Sequence, residues 1–496
     1  MISGRSSGIL LHPTSLPGPG GIGSLGGEAR RFIDFLVEAG QSLWQILPLG
    51  PPGCGNSPYS CFSAFAGNPL LIDLDELVAQ GDLEREEAYR PFPAGRIDFQ
   101  AVSDFKMPLL RRAAERFFSG ADRVRLHEFW GFCDSTFWLH DYALFMAAKG
   151  HFHGKAWNRW PEKLKRREPA ACETYSDLLG SEIGAQKYLQ WQFSRQWHVL
   201  RSYANSRGIR IIGDAPIFVA FDSADVWCNR HLFLLDAAGN PTVVAGVPPD
   251  YFSKTGQRWG NPLYDWDRMA SDGYGWWVAR VRNDLALYDI VRIDHFRGFE
   301  AYWEIPAAAK TAVRGRWVKG PGERFFHALR GQLGTLSIIA EDLGVITPEV
   351  EALRDGFGLP GMNILQFAFD GGPVNAYLPH NHHHNSVVYT GTHDNDTTRG
   401  WFDSLDREKQ QHVCDYLRST PEEIVTVFIR TLLGSVACYA IIPLQDLLQL
   451  DSSTRMNLPG VAEGNWGWRL AGGELTSTVA QELHSFTAMY NRLSQQ

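Results

Sequence analysis

Four acids stand at or just beyond the ends of short apolar runs. Asp214 lies in Gly208-Ile-Arg-Ile-Ile-Gly-Asp-Ala-Pro-Ile-Phe218, and Asp294 in Leu287-Tyr-Asp-Ile-Val-Arg-Ile-Asp-His-Phe-Arg-Gly298. Glu341 follows Leu336-Ser-Ile-Ile-Ala340, and Asp394 follows Ser386-Val-Val-Tyr-Thr390. Taken singly, each reads as a helix cap or an ion pair. Gathered at one place they imply a metal, fixed cationic partners, or a reaction that develops positive charge, because packing anions together is costly. Arg292 precedes Asp294 by two residues, so in a strand both side chains leave the same face, and the guanidinium holds the carboxylate ionised. Such a pair also serves purely structural networks. Positive charge growing between carboxylates describes glycoside cleavage through an oxocarbenium-like transition state. A retaining enzyme then needs a carboxylate nucleophile and a second carboxyl, about 5–5.5 Å away, acting as acid and then base. Asp294 suits the nucleophile. Glu341 suits the proton donor if its surroundings raise its pKa, and strand alternation alone leaves the adjacent Asp342 open as well.

Other chemistries fit less well. Asp394-Asn-Asp396 begins like a calcium loop, but Thr398 and Arg399 stand where that loop needs another oxygen ligand and then glycine. His380, His382, His383 and His384 fall in an Asn-flanked loop without the spacing of a metal site, so neither metal nor other cofactor is expected. Gly21-Ile-Gly-Ser-Leu-Gly26 matches a dinucleotide fingerprint in letters only. Pro13, Pro17 and Pro19 separate it from the preceding strand, and the next strand ends in Pro48-Leu-Gly50 with no acid for a ribose. Nucleophile-elbow, P-loop and Cys-His patterns are absent. With 47 Lys plus Arg against 55 Asp plus Glu, the net charge of -8 gives no electrostatic case for nucleic acid or an anionic membrane. Seven cysteines, an odd number without a C-x-x-C pair, argue against a disulfide framework and for a reducing compartment. The N-terminal apolar stretch is too short for a signal peptide and no run is long enough to span a bilayer, so the expected location is the cytoplasm.

The elements that must position these acids are legible as alternation. Strand-like runs begin at 8, 42, 208, 287, 336, 362, 386 and 437, and helical patterns cover 28–40, 321–333, 347–356 and 421–434. Eight strands with mostly helical crossovers predict an α/β chain folded as one (β/α)8 barrel over 1–496, with active residues at the carboxyl ends of the strands. A mostly helical insertion is expected over about 50–205, and a loop-rich one over about 220–286. The second carries a Gly/Pro-broken loop with Tyr251, Phe252 and Trp259, a way to hold aromatic faces over a cleft.

Arg292-Ile-Asp-His-Phe296, Ala340-Glu-Asp-Leu-Gly344, Thr392-His-Asp-Asn395 and Gly213-Asp-Ala-Pro216 resemble the amylomaltase family of 4-α-glucanotransferases, the disproportionating enzymes of glycoside hydrolase family 77. The resemblance runs from His12-Pro-Thr-Ser-Leu-Pro17 through Asn56-Ser-Pro-Tyr59 and the 250s loop to Asn465-Trp-Gly-Trp-Arg469, nearly the whole chain. It implies a barrel of the α-amylase clan with Asp294 as nucleophile, Glu341 rather than Asp342 as acid/base, and Asp394 gripping sugar hydroxyls. It also implies support of the same sugar by Arg292 and His393, with Asp214 nearby, and a glucan groove involving Ser57, Tyr59, Tyr251, Phe252, Trp259 and Asn465. The implied substrates are α-1,4-glucans: maltooligosaccharides, or segments derived from starch or glycogen. Transfer between them is the implied reaction. An α-amylase-like hydrolase would use the same three acids, and a glucan-binding barrel without catalysis would keep the aromatics and lose an acid. Oligomeric state is left open by the sequence.

Overall fold

A computed structural model describes residues 4–249 and 253–494. Eight strands make one sheet: β1 Ser6–Leu10, β2 Leu43–Gln45, β3 Arg210–Pro216, β4 Ile290–Asp294, β5 Ile338–Ala340, β6 Gly361–Ile364, β7 Ser386–Tyr389 and β8 Tyr439–Pro443. Every hydrogen-bonded neighbour pair is parallel, and spatial order follows chain order, with β8 returning to β1. The strands are almost continuously buried, as expected where helices cover one side and barrel packing the other. The helical patterns appear as Gly27–Glu38, Glu323–Leu333, Pro348–Gly356 and Ile424–Gly434, so the expected (β/α)8 barrel is the fold.

The ring closes between β5 and β6 by an unusual route. Ala340 N–H donates to the Pro360 carbonyl at 2.9 Å, and the Asp342 carboxylate takes the place of a strand, accepting Met362 N–H at 2.7 Å and pairing with Arg354. A Cβ at Gly361 would lie 2.5 Å from Asp342 Oδ2, so glycine there lets the carboxylate into the seam. This accounts for two adjacent acids after one strand: Glu341 is free for the barrel mouth, while Asp342 is spent on closure. Asp342→Ala strands the buried Met362 N–H and leaves Arg354 its bond to Asp355, with an expected cost of about 1–3 kcal/mol, read as a lower urea midpoint.

At the opposite end of the barrel, Arg492 is fully buried and closes the floor. Its guanidinium donates to the carbonyls of Leu433, Ser6, Ser435 and Ala437 at 2.7–3.1 Å.

Between β2 and β3 the chain is chiefly helical, with Phe99–Gly120, Arg123–Ser135, Leu139–His151, Pro169–Leu178 and Gly180–Ser206. The stretch read as loop-rich departs from that description. Val243–Val247 and Gln257–Pro262 join Ala301–Pro306 and Arg316–Lys319 in a four-stranded antiparallel sheet beside the mouth. Gly246 and Pro262, with a register shift between Val244 and Gly246, break the alternation that would have marked these strands.

The two decoys have structural explanations. A Cβ at Gly23 would lie 1.9 Å from the Pro13 carbonyl oxygen, and one at Gly26 1.9 Å from Asp73 Oδ2, so these glycines permit close chain approach. In the histidine run, His382 Nε2 lies 2.9 Å from the Tyr377 carbonyl, and His380 Nδ1 lies 2.9 Å from the Tyr416 hydroxyl, pinning the loop before β7. Among the described residues no three His, Cys, Asp or Glu side chains are grouped to hold a metal ion. None of the described helices is long and apolar enough to cross a membrane.

Candidate active site

The ladder of β3, β4 and β5 places the charged groups. Asp214 is in register with Arg292, and Ile293 with Ala340, so Asp294 and Glu341 rise as neighbours from adjacent strands. Adjacent strands lie about 4.8 Å apart, so the two acids start from neighbouring positions on the mouth. Glu341 N–H donates to the Ile293 carbonyl at 3.0 Å, extending the ladder to the acid itself.

Arg292 is the central cation. Nη1 donates to Asp214 Oδ2 at 2.6 Å and Nη2 to Asp294 Oδ1 at 3.1 Å. Tyr59 hydroxyl donates to the same Asp214 Oδ2 at 2.7 Å, and its ring stacks on His393 with centroids 5.2 Å apart and planes 14° apart. Burial keeps this phenol protonated, reinforced by the charge of Asp214, so Tyr59 remains a donor. The Asp294 side chain is 30 % exposed; among the described residues its Oδ2 has no hydrogen-bond partner. Glu341 is more enclosed and accepts His295 N–H on Oε2 at 2.6 Å and Leu343 N–H on Oε1 at 2.9 Å.

The electrostatics amend the simple picture of Arg292 holding Asp294 ionised. Its shorter bond goes to Asp214, so the guanidinium is shared, and Asp294's proton affinity is carried upward by burial and by the charge of Glu341 against the pull of Arg292. Glu341 is raised as well, first by burial, with Arg292 and the two backbone N–H groups opposing. The charge of Glu341 weighs on Asp294, so the two carboxyls titrate as a pair rather than singly. One carboxylate beside one carboxylic acid is the starting state of a retaining displacement.

Asp394 is set on the loop after β7. Asp446, buried below, receives the Thr390 hydroxyl and Thr398 N–H. Asn395 Oδ1 accepts both Thr392 N–H and its hydroxyl at 2.9 and 2.8 Å, so the apparent calcium-loop letters form a turn. Asp394 Oδ1 accepts Asn457 Nδ2 at 2.6 Å and lies 3.5 Å from His393 Nε2. The side chain is 47 % exposed, and among the described residues its Oδ2 has no hydrogen-bond partner. Burial lowers the His393 pKa and keeps the ring neutral.

The remaining expected contacts divide. Trp259 is 39 % exposed on the small sheet, its ring edge-on to His295 with centroids 4.8 Å apart. Ser57 Oγ accepts Tyr59 N–H at 3.2 Å and shapes the turn that presents Tyr59. Asn465 spends its amide on the Leu458 and Val461 backbone, closing a loop of its own. Tyr251 and Phe252 lie outside the described residues. Sequence reasoning passed over Asn457, and also Arg455, which donates to the Asp394 carbonyl at 2.6 Å. Neither has a local motif; their nearness to Asn465-Trp-Gly-Trp-Arg469 was the one available signal.

Comparison with known proteins agrees with this arrangement. A family model described as 4-alpha-glucanotransferase, glycoside hydrolase family 77, matches residues 11–476. The chain is 52 % identical to the 4-alpha-glucanotransferase of Thermus thermophilus over 498 residues, covering 99 % of each. It is 50 % identical to that of Synechocystis over 499 residues, again covering 99 % of each. The structure is similar to the amylomaltase of Streptococcus agalactiae solved with acarbose, with a TM-score of 0.96 at 41 % identity, covering 99 % of this chain and 100 % of that one. A barrel bearing this acid set, matched along nearly its whole length, belongs to the 4-alpha-glucanotransferase family, glycoside hydrolase family 77.

Proposed function

We propose that the protein transfers α-1,4-glucan segments between maltooligosaccharides by double displacement, with Asp294 as nucleophile and Glu341 as acid/base. The observation that carries the role assignment is the contrast between the two carboxyls. Among the described residues Asp294 Oδ2 has no partner and the side chain is 30 % exposed, whereas both Glu341 oxygens are fixed by backbone N–H groups. In the first step Asp294 Oδ2 attacks the anomeric carbon as Glu341 gives its proton to the glycosidic oxygen, and the reducing-end segment leaves with a free 4-OH. In the second step the 4-OH of an acceptor glucan gives its proton to Glu341 and attacks the same carbon. The Asp294 ester bond breaks, and retained configuration follows from two inversions.

Arg292 balances Asp214 and Asp294 throughout. Asp394 and His393 are assigned to the hydroxyls of the sugar being cleaved, since a half-exposed carboxylate held by Asn457 and a neutral imidazole present an acceptor and a hydrogen-bonding ring to the cleft. Trp259, exposed at the mouth, is assigned to stacking a glucose ring. Starch- and glycogen-derived chains fall within the same substrate class.

Incubation with maltotriose alone tests transfer. The expected products are glucose and a ladder of longer maltooligosaccharides, with reducing ends nearly constant. Rising reducing ends without elongation would mark a hydrolase, and an unchanged substrate a binding protein.

A further inference from the structure

The acid/base carboxyl is held by two loops that do not otherwise share a strand. His295, with φ at +55°, begins the turn after β4 and supplies one N–H. Leu343, on the loop after β5, supplies the other. The second loop is tied to the first at its start, where Phe296 N–H donates to the Glu341 carbonyl at 3.0 Å, and Gly344, with φ at +89°, meets Tyr377 through its backbone; beyond it Val345 is 58 % exposed. Arg297, two residues after His295, crosses between them by donating from Nη1 to the Val345 carbonyl. Its guanidinium lies 3.8 Å from the centre of the Trp317 ring.

Trp317 is itself fixed from the small sheet. It is in register with Trp303, the two rings 5.2 Å apart, and just beyond it Gly320 N–H donates to the Glu300 carbonyl at 2.7 Å. Lys319 pairs with Glu300, so the strand carrying Trp317 is tied to the turn carrying Arg297.

We propose that Arg297, stacked on Trp317, is a positioning residue for the proton-transfer step: it braces together the two loops whose backbone N–H groups aim Glu341, an inference that rests on Glu341 being the acid/base. The small sheet thereby acts on catalysis through Arg297 as well as through any sugar it stacks. Glu341 faces Arg292 and Asp294 from β4, Asp342 beside it, Tyr377 from the loop before β7 and Tyr389 in β7. The substitutions below alter none of these.

The test compares two donors in the full-length enzyme. Maltotriose needs its leaving group protonated, whereas α-maltosyl fluoride releases fluoride with little help, and kcat/KM for fluoride release reports only steps through bond cleavage. Arg297→Lys keeps the charge and loses the planar stack and fork. Trp317→Leu changes an exposed edge strand. Each is expected to lower kcat/KM for maltotriose by about 10- to 100-fold, the scale of a misplaced catalytic group, while fluoride release shifts by less than about twofold. The alkaline limb of the maltotriose profile should move to higher pH, because N–H bonds that favour the carboxylate are loosened. Glu341→Gln sets the full leaving-group dependence. Equal losses with both donors, or no loss with maltotriose, would overturn the brace while leaving the acid/base in place. If Glu341→Gln itself slows both donors alike, the acid/base reading falls and the brace with it.

Discussion

Asp294→Asn is expected to lower kcat/KM for maltotriose transfer by at least about 10⁴-fold, the scale seen when a covalent catalyst is removed, with glucan binding retained. The substitution is nearly isosteric. The amide oxygen can still accept from Arg292 Nη2, so the side chain should stay where it is. What is lost is the unpartnered oxygen with a charge to give to an anomeric carbon. Titration calorimetry with maltoheptaose, beside a maltotriose time course, separates binding from transfer. A variant retaining a few per cent of transfer would remove Asp294 from the nucleophile's role.

The second large effect is expected at Arg292, where stability and activity fall together. The Asp214 side chain is completely buried and the Arg292 side chain is 4 % exposed. Arg292→Met leaves a carboxylate in the barrel with only the Tyr59 hydroxyl, and removing one partner of a buried pair costs about 3–5 kcal/mol. A second change, Asp214→Asn, should return much of the urea midpoint, since it discharges the orphan. It should not return activity, because Asp294 still lacks its cation. A single variant with the parental midpoint would contradict the reading of Arg292 as the charge on which this end of the barrel depends.

The barrel was legible because its strands are short, buried on both faces and separated by amphipathic helices, a pattern that survives without tertiary information. The placement of Asp294 and Glu341 was legible for the same reason, since a strand end in a barrel is also a position at the mouth, with Asp394 on the loop that follows β7. The small sheet was not, because its strands are partly exposed and interrupted by Gly246, Gly260 and Pro262, which read as loop. Asp342 illustrates a different limit: its partners, Met362 N–H and Arg354, come from the next unit of the barrel, so the local alternation around it says nothing of its task. Asn457 reaches Asp394 from 63 residues away, and no spacing rule connects them. The charge state of the carboxyl pair depends on burial and mutual distance, quantities that Arg292-Ile-Asp294 as a string does not contain.

The buried Arg492 links carbonyls around β8 to that of Ser6, 486 positions earlier in the chain. A growing polypeptide therefore has all eight strands, and every acid of the mouth, well before the group that seals its floor has been synthesised. Until then the carbonyls of Ser6, Ser435 and Ala437 lack the guanidinium that donates to them, Leu433 accepts from Arg5 instead, and β1 and β8 meet without their common clasp. For this protein the emergence of Arg492, rather than the appearance of the last strand, marks when a nascent barrel can settle into its final state.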